Sequence, residues 1–254
     1  MTAPVGIHSA VRILLAGDWH GNREWAAISL ETAAKAGCQA VLQLGDFGLW
    51  PGREDAWLDH VDRHAAAAGV TVVWIDGNHE NHDALDRWRH EAGEQAGLVA
   101  MRDRVLWATR GARWEWQGVR FGALGGAVSI DRFLRKRGVN WWPQEATTQA
   151  DVDRLGDGPL DVLVTHAAPT TVTPSYRRLP LPEDIIADAR RVRDLLDQAV
   201  SRTEPPLVVH GHYHQRTRHE ADGQVVEGLA HDKSSVEEAL AVLDLDRGLG
   251  LRTP

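Results

Sequence analysis

Residues 11–46, "VRILLAGDWHGNREWAAISLETAAKAGCQAVLQLGD", decide the fold class. The run 11–17 is apolar and of strand length. Residues 23–37 carry apolar side chains at helical spacing and stop at Gly37, and 40–46 is a second apolar run. A strand, a helix and a strand in that order predict a right-handed crossover and a mainly parallel sheet. The pattern then repeats. "REDAWLDHVDRHAAAAG" (53–69) reads as a glycine-terminated helix, "VTVVWIDGN" (70–78) as a third strand, and 82–92 as a helix.

The middle of the chain changes character. "ARWEWQGVRFGAL" (112–124) holds two extended runs around Gln117-Gly118, which predicts a hairpin. A basic loop, "DRFLRKRG" (131–138), leads to a helix near 144–155 and then to the strand "DVLVTHAAP" (161–169). Pro169, Pro174, Pro180 and Pro182 exclude a helix from the connection that follows. Residues 184–200 read as an amphipathic helix, and "LVVHGHYHQ" (207–215) opens a last group of strands reaching 239–246. With no internal repeat or flexible linker, residues 1–254 are expected to form a single domain.

Composition narrows the function. The chain has 254 residues, of which 43% are hydrophobic, enough for a large core. The net charge of −8 argues against a general grip on nucleic acid backbones. Apolar runs such as Val70–Ile75 are too short to cross a membrane, and the first residues lack the pattern of an export signal. The single cysteine, Cys38, fits a reducing compartment, so a cytoplasmic protein is expected. Most of the eleven tryptophans, Trp19 included, are expected in packing roles.

Each expected strand ends in polar residues. Asp18 and His20 follow the first, Asp46 the second, Asn78 and His79 the third, His166 another, and His212 and His214 the last. Loops at the carboxyl ends of parallel strands form the ligand crevice of an open α/β sheet, so five segments deliver Asp, Asn and His to one edge. A glycine directly precedes Asp18, Asp46, Asn78 and His212, and is expected to turn the backbone off the strand. Imidazole and carboxylate together suit Zn, Mn, Fe, Co or Ni better than Ca. Seven ligands are too many for one tetrahedral site and suit two ions sharing a carboxylate.

The series Asp-x-His, Gly-Asp, Gly-Asn-His-Glu, a lone His after a strand, and Gly-His-x-His resembles the calcineurin-like metallophosphoesterases, in family order from Asp18 to His214. The resemblance implies a four-layer α/β/β/α sandwich with a di-metal centre at one edge. It implies that Asp18, His20 and His214 hold one divalent transition-metal ion and that Asn78, His166 and His212 hold the other. Asp46 would bridge them, and manganese is favoured. His79 matches the histidine that protonates the leaving oxygen or stabilises its charge while a water shared by the ions attacks. Catalysis is thereby assigned to His79, Asp46 and Asn78.

Other residues have plainer expectations. His8, His60, His64, His90, His219 and His231 read as ordinary hydrogen-bonded histidines, His210 as a structural group inside its strand, and His82 as a solvated helix start. Arg132 with the rest of the basic run 132–137 (Arg135, Lys136 and Arg137 among it), and Tyr176, Arg177 and Arg178, sit in long loops beside the crevice and are candidate anion contacts. The phosphoprotein-phosphatase branch carries Asp-Arg-Gly where this chain has "GDFGLWPGRE", and an arginine where it has Asp76-Gly77. A small phosphodiester or nucleotide is therefore the expected substrate. A nuclease, or a non-catalytic metal-binding module on the same fold, is the alternative.

Overall fold

The computed structural model describes residues 11–93, 97–173 and 181–254. Tyr176, Arg177 and Arg178 therefore lie outside the described residues, as does His8. The expected alternation is present: β1 (Arg12–Ala16), α1 (Arg23–Lys35), β2 (Ala40–Gln43), α2 (Glu54–Ala68), β3 (Thr71–Trp74) and α3 (His82–Ala92). The helices start and stop for local reasons. The Asn22 side chain accepts from Trp25 N at 3.1 Å to cap α1, and Gly69 at φ 70° ends α2 in the left-handed conformation.

Two strands were not anticipated, β4 (Leu98–Ala100) and β5 (Val105–Ala108). They are three and four residues long around a charged turn, too short for a period to show. The hairpin is as expected: β6 (Arg113–Trp116) and β7 (Val119–Leu124) pair antiparallel, with Gln117 at φ 50° and Gly118 at φ 78° in the turn. The helix expected over 144–155 is shorter. Pro143–Glu145 forms a separate 3-10 turn, and α4 (Gln149–Leu155) begins only where Thr148 and Asp151 close a capping box. Then follow β8 (Val162–Thr165), α5 (Glu183–Thr203), β9 (Leu207–His210), β10 (Thr217–Ala221), β11 (Gln224–Gly228), α6 (Val236–Ala239), β12 (Leu240–Asp244) and β13 (Leu251–Arg252).

The strands form two sheets, in the orders β13-β12-β1-β2-β3-β5-β4 and β10-β11-β9-β8-β7-β6. Each sheet has a parallel centre, β1-β2-β3-β5 in one and β11-β9-β8-β7 in the other, with antiparallel strands added at the margins. Alternation along the strands creates the layers. Leu14 and Ala16 pack outward with Leu30, Leu58 and Val61 of the helices. Ile13 and Leu15 point inward to meet Phe121, Val164 and Val209 of the second sheet. Beyond that sheet, Leu163 and Val208 pack against Val152 of α4 and Leu196 of α5. The result is a four-layer α/β/β/α sandwich. Fully burying each such aliphatic contributes about 1.5–3 kcal/mol. Among the described residues, no helix is long and apolar enough to cross a membrane.

One buried ion pair ties the sandwich to the loops at its edge. Arg110, just after β5, meets Asp76, just after β3, at 2.6 Å, and both side chains are almost fully buried. The same guanidinium donates to the carbonyls of Glu145 and Ala146. Burial opposes the Asp76 charge, but Arg110 outweighs it and holds the carboxyl below its usual range. The contribution of the pair is thus present above about pH 4 and is lost as pH falls through the lowered pKa. Asp76→Asn leaves buried Arg110 with only Asp151, 3.7 Å away, as counter-charge and should lose roughly 3 kcal/mol of unfolding free energy in urea titration, the lower end for a broken buried pair. A loss below about 1 kcal/mol, the scale of a surface pair, would contradict this.

Candidate metal centre

Both parallel centres present their carboxyl ends to the same edge, and the seven expected ligands follow those ends. Their local backbone is unusual. Seven non-glycine described residues have positive φ, and four of them are His20 (47°), Asp46 (51°), His212 (67°) and His214 (56°). Left-handed conformations cost about 1–3 kcal/mol each for such residues and persist only where the surroundings fix them. Here they aim the side chains back over the sheet ends.

The glycines before the ligands serve mostly for room rather than turning. Only Gly45 has positive φ; Gly17, Gly77 and Gly211 do not. A Cβ on Gly77 would lie 2.2 Å from Asp46 Oδ1, and one on Gly211 would lie 2.2 Å from Asp18 Oδ1. Contrary to expectation, Gly211 does not splay the strand end; it lets Asp18 approach the backbone.

Asp46 sits in the middle with its two oxygens facing opposite ways. Oδ2 lies 3.4 Å from His20 Nε2, and Oδ1 lies 3.3 Å from His166 Nε2. On the first side Asp18, His20, Asp46 and His214 bring one ligand atom each within 4.8 Å of one another. On the second side His166 Nε2 also lies 3.2 Å from Asn78 Oδ1, and the His212 ring is 5.0 Å from the His166 ring. The two sides differ in access. His20 and His214 are 21% and 41% exposed, whereas His166 is completely buried.

The chemistry of these atoms suits cations. His166 Nδ1 faces the Leu44 carbonyl at 2.7 Å, and this places its N–H there. Nε2 then faces two oxygens that carry no protons, the carboxylate of Asp46 and the amide oxygen of Asn78, and either a proton or a metal ion must lie between them. Such a convergence requires a positive charge. Burial opposes charge on His166, but Asp46 outweighs it and pushes the ring up to about 10. Burial likewise opposes charge on His20, but the hydrogen bond and charge of Asp46 lift it to about 9. In turn Asp46, which burial alone would raise, is held well below the usual carboxylate range by His79 and His166. Burial and then His166 lower His212 to about 3, so that ring stays neutral and free to donate a lone pair. The donor set of Asp18, His20, Asp46 and His214 therefore fits a divalent ion.

A calcineurin-like phosphoesterase family model matches residues 11–216. The chain belongs to that family. No curated protein shows significant sequence similarity to it. Solved structures resemble it in fold at low identity. TT1561 of Thermus thermophilus has TM-score 0.59 at 14% identity, over 96% of this chain and 99% of that one. A dimetal phosphatase from Danio rerio has TM-score 0.55 at 14% identity, over 93% of each chain. An archaeal phosphodiesterase has TM-score 0.50 at 13% identity, over 95% of this chain and 97% of that one.

Several other side chains complete the site. His79 is 27% exposed, and its ring nitrogens lie 2.8 and 3.1 Å from the Arg135 guanidinium, which Asp131 holds from behind. Arg135, not Arg132, is thus the basic-loop cation beside the centre. Arg132 is tied to Asp184 and Asp188 of α5 and lines a cavity of about 600 Å³ with Trp141 and Leu195. His82 is not a solvated helix start: it is 2% exposed, near Trp142, and burial first of all pushes it down to about 3. Trp19 is buried and stacks on Phe47, as expected for packing.

Sequence reasoning missed the segment 231–235. Asp232 accepts from His20 Nδ1 at 2.9 Å and from Asn22 Nδ2 at 2.9 Å, while its own N–H donates to the Asp18 carbonyl. Its neighbour His231 stacks on His214, with centroids 4.2 Å apart and planes 5° from parallel. A carboxylate on the far nitrogen of a ligand histidine fixes the tautomer, leaving Nε2 of His20 for a metal. Only "HD" after a short loop signalled this, too common a pair to single out. Asp232→Ala should weaken one of two Mn²⁺ binding steps about 10- to 100-fold in calorimetric titration. Unchanged affinity at both steps would show that Asp232 does not orient His20.

Proposed function

We propose that this chain is a di-metal phosphoesterase acting on small phosphodiesters or nucleotides. Asp46 supports this most directly, because its opposed oxygens address two separate donor sets. One ion would be held by Asp18, His20, His214 and Asp46, and the other by Asn78, His166, His212 and Asp46. When bound, two such ions supply Lewis-acid stabilisation of phosphoryl charge and acidify the attacking water.

The rest falls to the chain's own groups. Burial, and after it the guanidinium of Arg135, hold the His79 ring below the usual imidazole range against the pull of Asp46. A neutral ring paired with a permanent cation favours charge stabilisation at the leaving oxygen over delivery of an imidazolium proton. The His79 backbone N–H donates to Asp46 Oδ1 at 2.9 Å, so the leaving-group residue and the bridge are positioned together.

Substrate class is inferred from what occupies the arginine positions of the phosphoprotein-phosphatase branch. Asp76 is turned inward to Arg110, and Gly77 has no room for a side chain beside Asp46. Phosphate recognition then falls to the ions and to Arg135. Manganese is favoured by the oxygen share of the donors, and a cytoplasmic location by the single cysteine, which is buried. The three continuous cores favour reading the whole chain as one domain.

Two experiments test the proposal. With metal restored, bis-p-nitrophenyl phosphate or a cyclic nucleotide should be hydrolysed faster than a phosphopeptide or single-stranded DNA. Preference for the phosphopeptide would overturn the substrate class, and preference for DNA would favour a nuclease. His79→Ala should lower turnover roughly 10²- to 10⁴-fold while the protein still carries two ions. Loss of metal in that variant would mean that His79 is a ligand.

A further inference from the structure

Glu145 is a buried carboxylate, 2% exposed, that belongs to none of the metal-binding motifs. It lies in the 3-10 turn before α4, and its own carbonyl is fixed by Arg110 and by Ala127 N–H. Both carboxylate oxygens are turned to one residue. Oε1 accepts from Ser129 N, and Oε2 accepts from Ser129 Oγ, each at 2.7 Å. Ser129 in turn meets Asn78, whose Nδ2 donates to Ser129 Oγ at 3.0 Å.

The order of donors and acceptors has a consequence. A serine hydroxyl has one proton and two lone pairs. An ionised carboxylate can only accept from Ser129, so above about pH 7, the value to which burial raises Glu145 against the hydrogen bonds from Ser129, it takes that proton. Ser129 then offers Asn78 a lone pair alone, and the amide must turn its NH₂ toward Ser129. Its oxygen is left pointing at His166 Nε2 and the second half of the centre. Asn78 is 2% exposed, so solvent does not set this orientation. Reversed, the amide would place N–H donors where a cation should bind.

We propose that Glu145 is a positioning residue that sets the direction of the Asn78 amide through Ser129 and thereby sets the affinity for the second metal ion. This rests on the di-metal function proposed above. A Gln at 145 has nearly the same shape but reverses the relay. Its oxygen accepts from Ser129 N–H and its NH₂ donates to Ser129 Oγ. The hydroxyl proton is then free to turn toward Asn78, and the amide loses its fixed direction.

The test is calorimetric titration of Mn²⁺ into metal-free wild type, Glu145→Gln, Ser129→Ala and the double variant, with a melting curve of each metal-free protein. Wild type should bind two ions. Each single variant should weaken one step about 10- to 100-fold and leave the other unchanged. The double variant should be no worse than either single, because both changes break the same relay. Asp232→Ala combined with Glu145→Gln should weaken both steps, since Asp232 serves the other ion. Glu145→Gln and Ser129→Ala binding both ions as tightly as wild type would overturn the relay. So would additive losses in the double variant, or equal weakening of both steps in the single variants. A wild type that binds fewer than two ions would instead contradict the di-metal function on which the relay rests.

Discussion

Everything at the edge of this sandwich depends on keeping the Asp46 carboxylate charged where water cannot reach it. Asp46 is 1% exposed and sits in a left-handed conformation, two unfavourable circumstances for an aspartate. Burying an unpaired carboxylate is too unfavourable to persist, so cationic partners must surround it. The fold supplies them from both sheets, His20 on one side and His166 on the other, and the His79 backbone N–H adds a hydrogen bond to Oδ1. Glycines at 45 and 77 are the spacing that this crowd permits, since a side chain at either would collide with His166 or with Asp46 itself.

The same constraint accounts for the supporting contacts. A candidate ligand histidine is oriented by the partner of its other ring nitrogen, and His166 and His20 each have one. Leu44 O serves His166, and Asp232 serves His20. Asn78 needs the equivalent service because an amide has two unlike ends, and Ser129 with Glu145 provides it. Arg110 links that support to the fold, joining Asp76 beside the third motif to the backbone that carries Glu145. Metal centre and structural core thus share one hydrogen-bonded frame.

The sequence made the residues that gather at this edge legible because each follows an apolar strand, and strand ends are readable from local pattern. Layer order was legible through the resemblance of those motifs to a family. What could not be read was whatever depends on distant segments meeting. Strands β4 and β5 were too short to show a period. Asp232 and Glu145 sit in ordinary turns and acquire meaning only where the fold brings them to His20 and to Ser129. The basic loop was recognised, yet which arginine faces the centre was not, because Asp184 and Asp188 of α5 claim Arg132 and leave Arg135 to His79. His82 looked like a helix start from sequence, and only the packing near Trp142 shows it buried.

Anomalous diffraction from crystals grown with Mn²⁺ tests the central claim most directly, since it locates ions without reference to activity. Two peaks should appear on opposite sides of the Asp46 carboxylate, roughly 3.5–4 Å apart. One should lie among Asp18, His20 and His214, and the other among Asn78, His166 and His212. A single peak, or peaks that do not share Asp46, would contradict the account.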